Sequence, residues 1–166
     1  ISLKQEGISS LAADELPAVI VNMMRGGPGL GNILPSQGDY FQATKGGGHG
    51  DYKVIVLAPA SVQELADLTM DAFDLADRYR NPVMILADGM IGQMMEPVEF
   101  REPKPRKYND CYKLRGAGQG KSRFVRALIL DALAMEEHNW KLYRKYQVIK
   151  KREIRYESYQ VEDADL

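Results

Sequence analysis

Val54-Ile55-Val56-Leu57-Ala58, Pro59-Ala60-Ser61-Val62-Gln63-Glu64 and Val83-Met84-Ile85-Leu86-Ala87 decide the fold of this chain. The first and last runs are apolar without alternation, the pattern of strands covered on both faces of a parallel sheet. Between them the spacing predicts one long helix. Ser61 and Glu64 stand at capping-box spacing, which satisfies free amides at a helix start. Val62, Leu65, Thr69, Phe73 and Ala76 then mark the expected buried stripe. Arg78, Tyr79 and Arg80 close the helix ahead of Asn81-Pro82. Strand, crossover helix and strand make a right-handed βαβ unit. Asp88-Gly89 falls at the carboxyl end of the second strand, where open parallel sheets bind ligands.

Working outward, Ala18-Val19-Ile20-Val21-Asn22 reads as a third strand buried on both faces. Leu3, Ile8, Leu11 and Ala12 predict a short amphipathic helix over residues 3–14, ended near Asp14-Glu15 before Pro17. The stretch between Asn22 and Tyr52 has almost no apolar period, and it holds nine of the chain's 15 glycines. One helical turn is expected at Asp39–Thr44. A long loop of this kind inside an α/β chain is more often a working loop than a spacer. Arg25 sits at its mouth. Its fork of donors suits bidentate capture of a carboxylate or phosphate. The competing reading is an arginine that pins the loop through backbone carbonyls.

Two phosphate-binding patterns fail on inspection. Gly29-x-Gly31 would need glycine or alanine at Leu34, and Pro35 interrupts a following helix. Gly116-Ala117-Gly118-Gln119-Gly120-Lys121-Ser122 has Arg115 where a P-loop needs its first glycine, and no strand precedes it. His49, in Gly48-His49-Gly50, is a proton shuttle or ligand on one reading and a hydrogen-bonding surface group on the other. His138 is expected to be solvated, and Met90, Met94 and Met95 to serve as packing material.

Charge divides the chain. Residues 1–100 form the α/β unit, and 101–127 form a basic linker punctuated by proline and glycine. Residues 128–166 carry a long helix with Leu142, Tyr146 and Ile149 on one face, then an acidic linker. At 166 residues and 45% hydrophobic, the chain supports one real core. Net charge is -1, whereas a nucleic-acid reading would want a basic total, so no nucleic-acid partner is expected. A single cysteine, Cys111, excludes an internal disulfide framework and a self-contained cysteine-ligated cluster. No apolar run reaches the ~20 residues of a membrane span, and no signal-peptide pattern is present. Cytoplasmic is the default expectation. Neither end reads as a natural terminus, so a piece of a longer chain is expected. Three strands alone would leave an open edge, which implies aggregation or dependence on a partner.

Ile1-Ser2-Leu3-Lys4-Gln5-Glu6-Gly7, Val21-Asn22-Met23-Met24-Arg25-Gly26-Gly27-Pro28-Gly29-Leu30-Gly31 and Pro35-Ser36-Gln37-Gly38-Asp39-Tyr40 resemble the α subunit of 2-oxoacid:ferredoxin oxidoreductases. Leu57–Glu64, Ile85–Gly89, Glu137-His138-Asn139 and Arg155-Tyr156-Glu157 continue the resemblance, which is weakest over 101–126. It implies a partial parallel-sheet, thiamine diphosphate-binding fold, the pyrimidine module, followed by a connecting helix. The implied reaction is coenzyme A-dependent oxidative decarboxylation of a 2-oxoacid to acyl-CoA and CO₂, with reduction of ferredoxin. A β subunit is expected to hold the diphosphate and Mg²⁺. Gamma and ferredoxin-like subunits would complete the complex, with iron–sulfur clusters outside this chain. Arg25 matches the arginine that binds the substrate carboxylate, with Gly26 and Gly27 beside it. Pro28, Gln37, Asp39, His49 and Asp88 are expected to shape the pocket or meet a partner subunit. The family's pyrimidine-activating glutamate lies upstream of the matched region, so no catalytic residue and no metal site is expected here. Gly29-Leu30 resembles the branched-chain, 2-oxoisovalerate branch, whereas the 2-oxoglutarate branch tends to carry Ser-Thr there. 2-Oxoglutarate is the alternative substrate. Two other classes stay open: a non-catalytic assembly module and a small phosphate-binding α/β protein.

Overall fold

The central strand of the sheet comes last in sequence. In the computed structural model, which describes residues 2–102, 124–159 and 161, β3 (Pro82–Asp88) runs between β1 (Ala18–Met24) and β2 (Ile55–Leu57). All pairings are parallel, with Met24 opposite Asp88 and Leu57 opposite Ile85. Central placement explains the unbroken apolar run of β3, which is buried at every position except Asp88.

The strand expectations need three corrections. β2 is three residues long, without Val54 and Ala58, and β1 extends two residues further, to Met24. β1 is also not buried on both faces. Val21 is 51% exposed and Met23 39% exposed, because β1 lies at the edge of the described sheet, where its carboxyl half is only partly covered.

Helices cover the two faces. On one side α1 (Gln5–Ala13) and α2 (Tyr40–Lys45), with Tyr52 from the loop that follows, pack Ile8, Ala12, Ala43 and the Tyr52 ring against Met24, Met84 and Leu86. On the other, α3 (Val62–Tyr79) packs Ala72, Leu75 and Ala76 against Ile55, Leu57, Val83 and Ile85. Alternate β3 side chains thus feed opposite cores, as the pleat requires.

The helix start is where the capping box places it. Ser61 Oγ accepts from the Glu64 amide at 3.1 Å, while the Glu64 carboxylate accepts from the Ala60 amide at 2.7 Å, one residue before the cap. Ser61→Ala is expected to cost about 1 kcal/mol in stability, read by denaturant unfolding. An unchanged midpoint would mean that the cap contributes nothing. The predicted stripe, however, was rotated. Leu65, Leu68, Ala72, Leu75, Ala76 and Tyr79 form it, and Phe73 is 49% exposed. One residue beyond Ala72 is a turn of about 100° around the axis, which carries Phe73 off the buried face despite its apolar ring.

The long C-terminal helix, α4 (Ala132–Arg152), buries Leu142 and lays Ile149 against the α3 core. Asp131 caps it, its Oδ1 accepting from the Ala134 amide at 2.8 Å. α4 docks at the amino ends of the strands through Glu15, just before β1. Glu15 is buried and pairs with Lys141 and Lys145, and Lys145 Nζ also donates to the Arg80 carbonyl at 3.2 Å. His138, expected to be solvated, is half-buried with its ring nitrogen 3.0 Å from the Ala13 carbonyl oxygen. Cys111, the 116–122 glycine run and most of the expected 101–127 linker lie outside the described residues.

Candidate functional site

β1 and β3 end side by side, and the chain leaves both at the carboxyl edge of the sheet, the end opposite α4. The Gly89 amide donates to the Met24 carbonyl at 3.3 Å, which joins the two exits. From there residues 25–35 close on themselves. Arg25 and Pro35 form an isolated antiparallel bridge, and the Gly26 amide donates to the Leu34 carbonyl at 2.9 Å. The Asn32 amide donates to the Gly26 carbonyl at 3.0 Å, and the Leu34 amide to Asn32 Oδ1 at 3.0 Å. Gly31 has φ +57°, and a Cβ there would overlap the Gly26 carbonyl. A Cβ on Gly26 would overlap the Asn32 amide group. Both glycines are therefore fixed by close approach, whereas a Cβ on Gly27 would meet open space.

Arg25 is exposed at this ring. Its Nη1 donates to the carbonyls of Leu30 and, at 2.9 Å, Asn32, with a longer contact of 3.4 Å to Gly26. Among the described residues every hydrogen bond of the guanidinium runs through Nη1. Nε and Nη2 have no partner there. The two readings of Arg25 are thus compatible: one nitrogen pins the loop, and two remain for an anion.

Asp88 is committed elsewhere. Its Oδ1 accepts from the Met90 amide at 2.9 Å and the Ile91 amide at 3.0 Å, capping the short 3-10 turn Ile91–Gln93. Oδ2 accepts from Gln37 Nε2 at 3.1 Å, which ties the far side of the loop back to the sheet. The Ile91 amide, then Gln37, hold the Asp88 carboxyl below the ordinary carboxylate range. It is a fixed anion, not a group poised to share a proton. Asp39 sits just before α2, with its Oδ2 accepting from Asn22 Nδ2 on β1 at 3.1 Å.

The structure therefore places Arg25, Gly26, Gly27 and Pro28 in one ring at the carboxyl edge and bonds Gln37 to Asp88 beside it. His49 is exposed in a loop tied to α1 instead. There the Gly48 amide donates to the Tyr52 hydroxyl at 3.0 Å, and that hydroxyl donates to Gln5 Oε1 at 2.8 Å. Asn32 was missed by sequence reasoning. The Gly31-Asn32 pair is a turn signal, but nothing in it reveals that the side chain spans the ring. Among the described residues no group of three or more His, Cys, Asp or Glu is placed to hold a metal ion. No described helix is long and apolar enough to cross a membrane.

Comparison with known proteins converges on one family. Ketoisovalerate oxidoreductase subunit VorB of Methanothermobacter marburgensis is 56% identical over 167 residues, covering 100% of this chain and 47% of that protein. The subunit of the same name from Methanothermobacter thermautotrophicus is 54% identical over the same span. 2-Oxoglutarate synthase subunit KorA of Archaeoglobus fulgidus is 50% identical over 98 residues, 58% of this chain and 28% of that protein. The chain thus spans about half the length of the curated relatives it matches from end to end. A solved structure of 2-oxoglutarate:ferredoxin oxidoreductase from Magnetococcus marinus superposes on 95% of this chain and 32% of its own, with a TM-score of 0.66 at 21% identity. That likeness establishes the α/β fold. The family model described as pyruvate flavodoxin/ferredoxin oxidoreductase, thiamine diphosphate-binding, matches residues 1–160, and the chain belongs to that family.

Proposed function

We propose that this chain is part of the α subunit of a coenzyme A-dependent 2-oxoacid:ferredoxin oxidoreductase, with 2-oxoisovalerate or a related branched-chain acid as substrate. In this reaction the bond between the carboxylate and the 2-oxo carbon breaks. CO₂ leaves, the acyl group passes to the coenzyme A thiol, and the electrons pass to ferredoxin. The observation that carries the reading is Arg25: an exposed guanidinium at the carboxyl edge of a parallel sheet, pinned by Nη1 with Nε and Nη2 in reserve. That arrangement presents a bidentate fork for a carboxylate. The branched-chain assignment is supported by 56% identity over the whole of this chain to a ketoisovalerate oxidoreductase subunit, against 98 aligned residues for the 2-oxoglutarate synthase subunit. Leu30 and Ile33, exposed apolar residues of the same loop, agree with it.

The described residues do not by themselves make a thiamine diphosphate site. They hold no metal-binding cluster for the diphosphate, and Asp39 and Asp88 are both engaged by donors. A carboxyl held below its usual range, as Asp88 is, suits a structural clamp and not the activation of an aminopyrimidine. On this reading the activating carboxylate and the Mg²⁺ ligands come from residues beyond those described or from the β subunit. Residues 1–100 then form the substrate-facing part of the pyrimidine module, and 128–166 the connection to further structure, with 101–127 between them.

The test is ferredoxin reduction by the assembled complex, purified with its native partner subunits. Coenzyme A-dependent reduction is expected with 2-oxoisovalerate, at a kcat/KM at least about tenfold above that with 2-oxoglutarate, the scale of a mismatched pocket. Preference for 2-oxoglutarate would overturn the substrate assignment. No reduction with any 2-oxoacid would leave the assembly-module reading.

A further inference from the structure

Arg25 can clamp a carboxylate only if its guanidinium is held still, and the structure shows what holds it. The Leu30 and Asn32 carbonyls accept from Nη1, and both belong to the turn that closes on Gly26. The Asn32 side chain fixes that turn. Its Oδ1 accepts from the Leu34 amide at 3.0 Å, and the amide group lies against Gly26 so closely that a Cβ there would collide with it. Its main chain does the rest: the amide donates to the Gly26 carbonyl at 3.0 Å, and the carbonyl takes Nη1 at 2.9 Å. One residue thus holds both the loop that frames the arginine and the arginine itself. Yet Asn32 is exposed and belongs to neither core cluster. A residue placed this way contributes more to the geometry of the loop than to the stability of the fold.

We infer that Asn32 is a positioning residue for substrate binding, acting through Arg25. The inference rests on the proposed carboxylate-clamp role of that arginine. Without the Oδ1 bond the turn samples other conformations, and Arg25 must be ordered by the substrate itself, so binding weakens. The carboxylate is already charged before the chemical step, and the loss falls on KM more than on kcat.

The experiment is a double-mutant cycle in the assembled complex, with the 2-oxoacid as varied substrate. Asn32→Ala is expected to raise KM on the order of tenfold with kcat within about twofold. Asn32→Ser, which keeps a short oxygen acceptor for the Leu34 amide, should restore most of the loss. Arg25→Ala/Asn32→Ala should be no worse than Arg25→Ala alone, because a residue acting only through Arg25 has nothing left to position. Additive effects, or equal damage from Asn32→Ala and Asn32→Ser, would overturn the inference. If Asn32→Ala fails to assemble, the cycle run with Asn32→Gly, which also lacks the side-chain acceptor, applies the same additivity criterion. Should Arg25→Ala itself leave KM unchanged, the clamp reading fails, and the inference falls with it. A raised KM for Arg25→Ala with a normal Asn32→Ala sinks the inference alone.

Discussion

Arg25→Ala in the assembled complex is expected to raise KM for the 2-oxoacid on the order of a hundredfold, the scale of a lost bidentate charge-assisted pair. kcat should change little. On the clamp reading the arginine meets a carboxylate that carries its charge from the moment of binding, so the contact holds ground state and early transition state alike. Some of the loss comes from the loop, since Nη1 also bridges the Leu30 and Asn32 carbonyls. Arg25→Lys separates the two contributions. A lysine ammonium restores a positive charge without the planar fork, and it should recover only part of the affinity. Steady-state kinetics over a range of 2-oxoacid concentrations reads both variants. Unchanged KM and kcat for Arg25→Ala would remove the clamp from the mechanism.

The second large effect lies at the opposite end of the sheet. Glu15 is buried beside Lys141 and Lys145, so Glu15→Ala leaves the largely buried Lys145 without its carboxylate and is expected to cost about 3 kcal/mol. Glu15 also has φ 54°, a region that L side chains adopt only at a cost. Glu15→Gly should therefore be less harmful than Glu15→Ala by about 1 kcal/mol, although both lose the ion pair. Urea unfolding of the complete subunit gives the differences, and faster amide exchange over 132–152 would trace the loss to α4. Equal stability of wild type and Glu15→Ala would mean that the pair does not anchor the helix.

Acidity tests the same contact with a defined sign. Burial raises the Glu15 carboxyl, but the Lys141 hydrogen bond and the charges of Lys145, Lys141 and Arg80 outweigh it, leaving the group below its ordinary 4.5. A depressed folded value means that the stabilisation is fully present above 4.5 and lost as pH falls through the folded value. The gap between wild type and Glu15→Gln should accordingly be constant near neutrality and shrink in acid. A gap that widens in acid would contradict the assignment.

Much of this architecture was legible because it is local. The β3 run is apolar at every position since both of its faces are covered, and Ser61 with Glu64 announces the start of α3 through side chains that reach only a few residues. The reading went wrong where covering depended on distant neighbours. Val21 looks like core but lies on an edge strand, and Phe73 looks like stripe but points off the α3 face. His138 looks solvated, yet α4 carries it onto the Ala13 carbonyl.

By itself the sequence determined the strand–helix–strand order, the parallel sheet and the position of Arg25 at the mouth of a glycine-rich loop, because periodicity, caps and turn residues are written in short windows. Only the tertiary structure decided what Arg25 does with its donors, that Asn32 braces it, and that Glu15 anchors α4 more than a hundred residues away. Those facts depend on which groups meet when the chain closes on itself. A hydrogen bond requires its partners within about 3 Å, a condition that no spacing along the chain encodes.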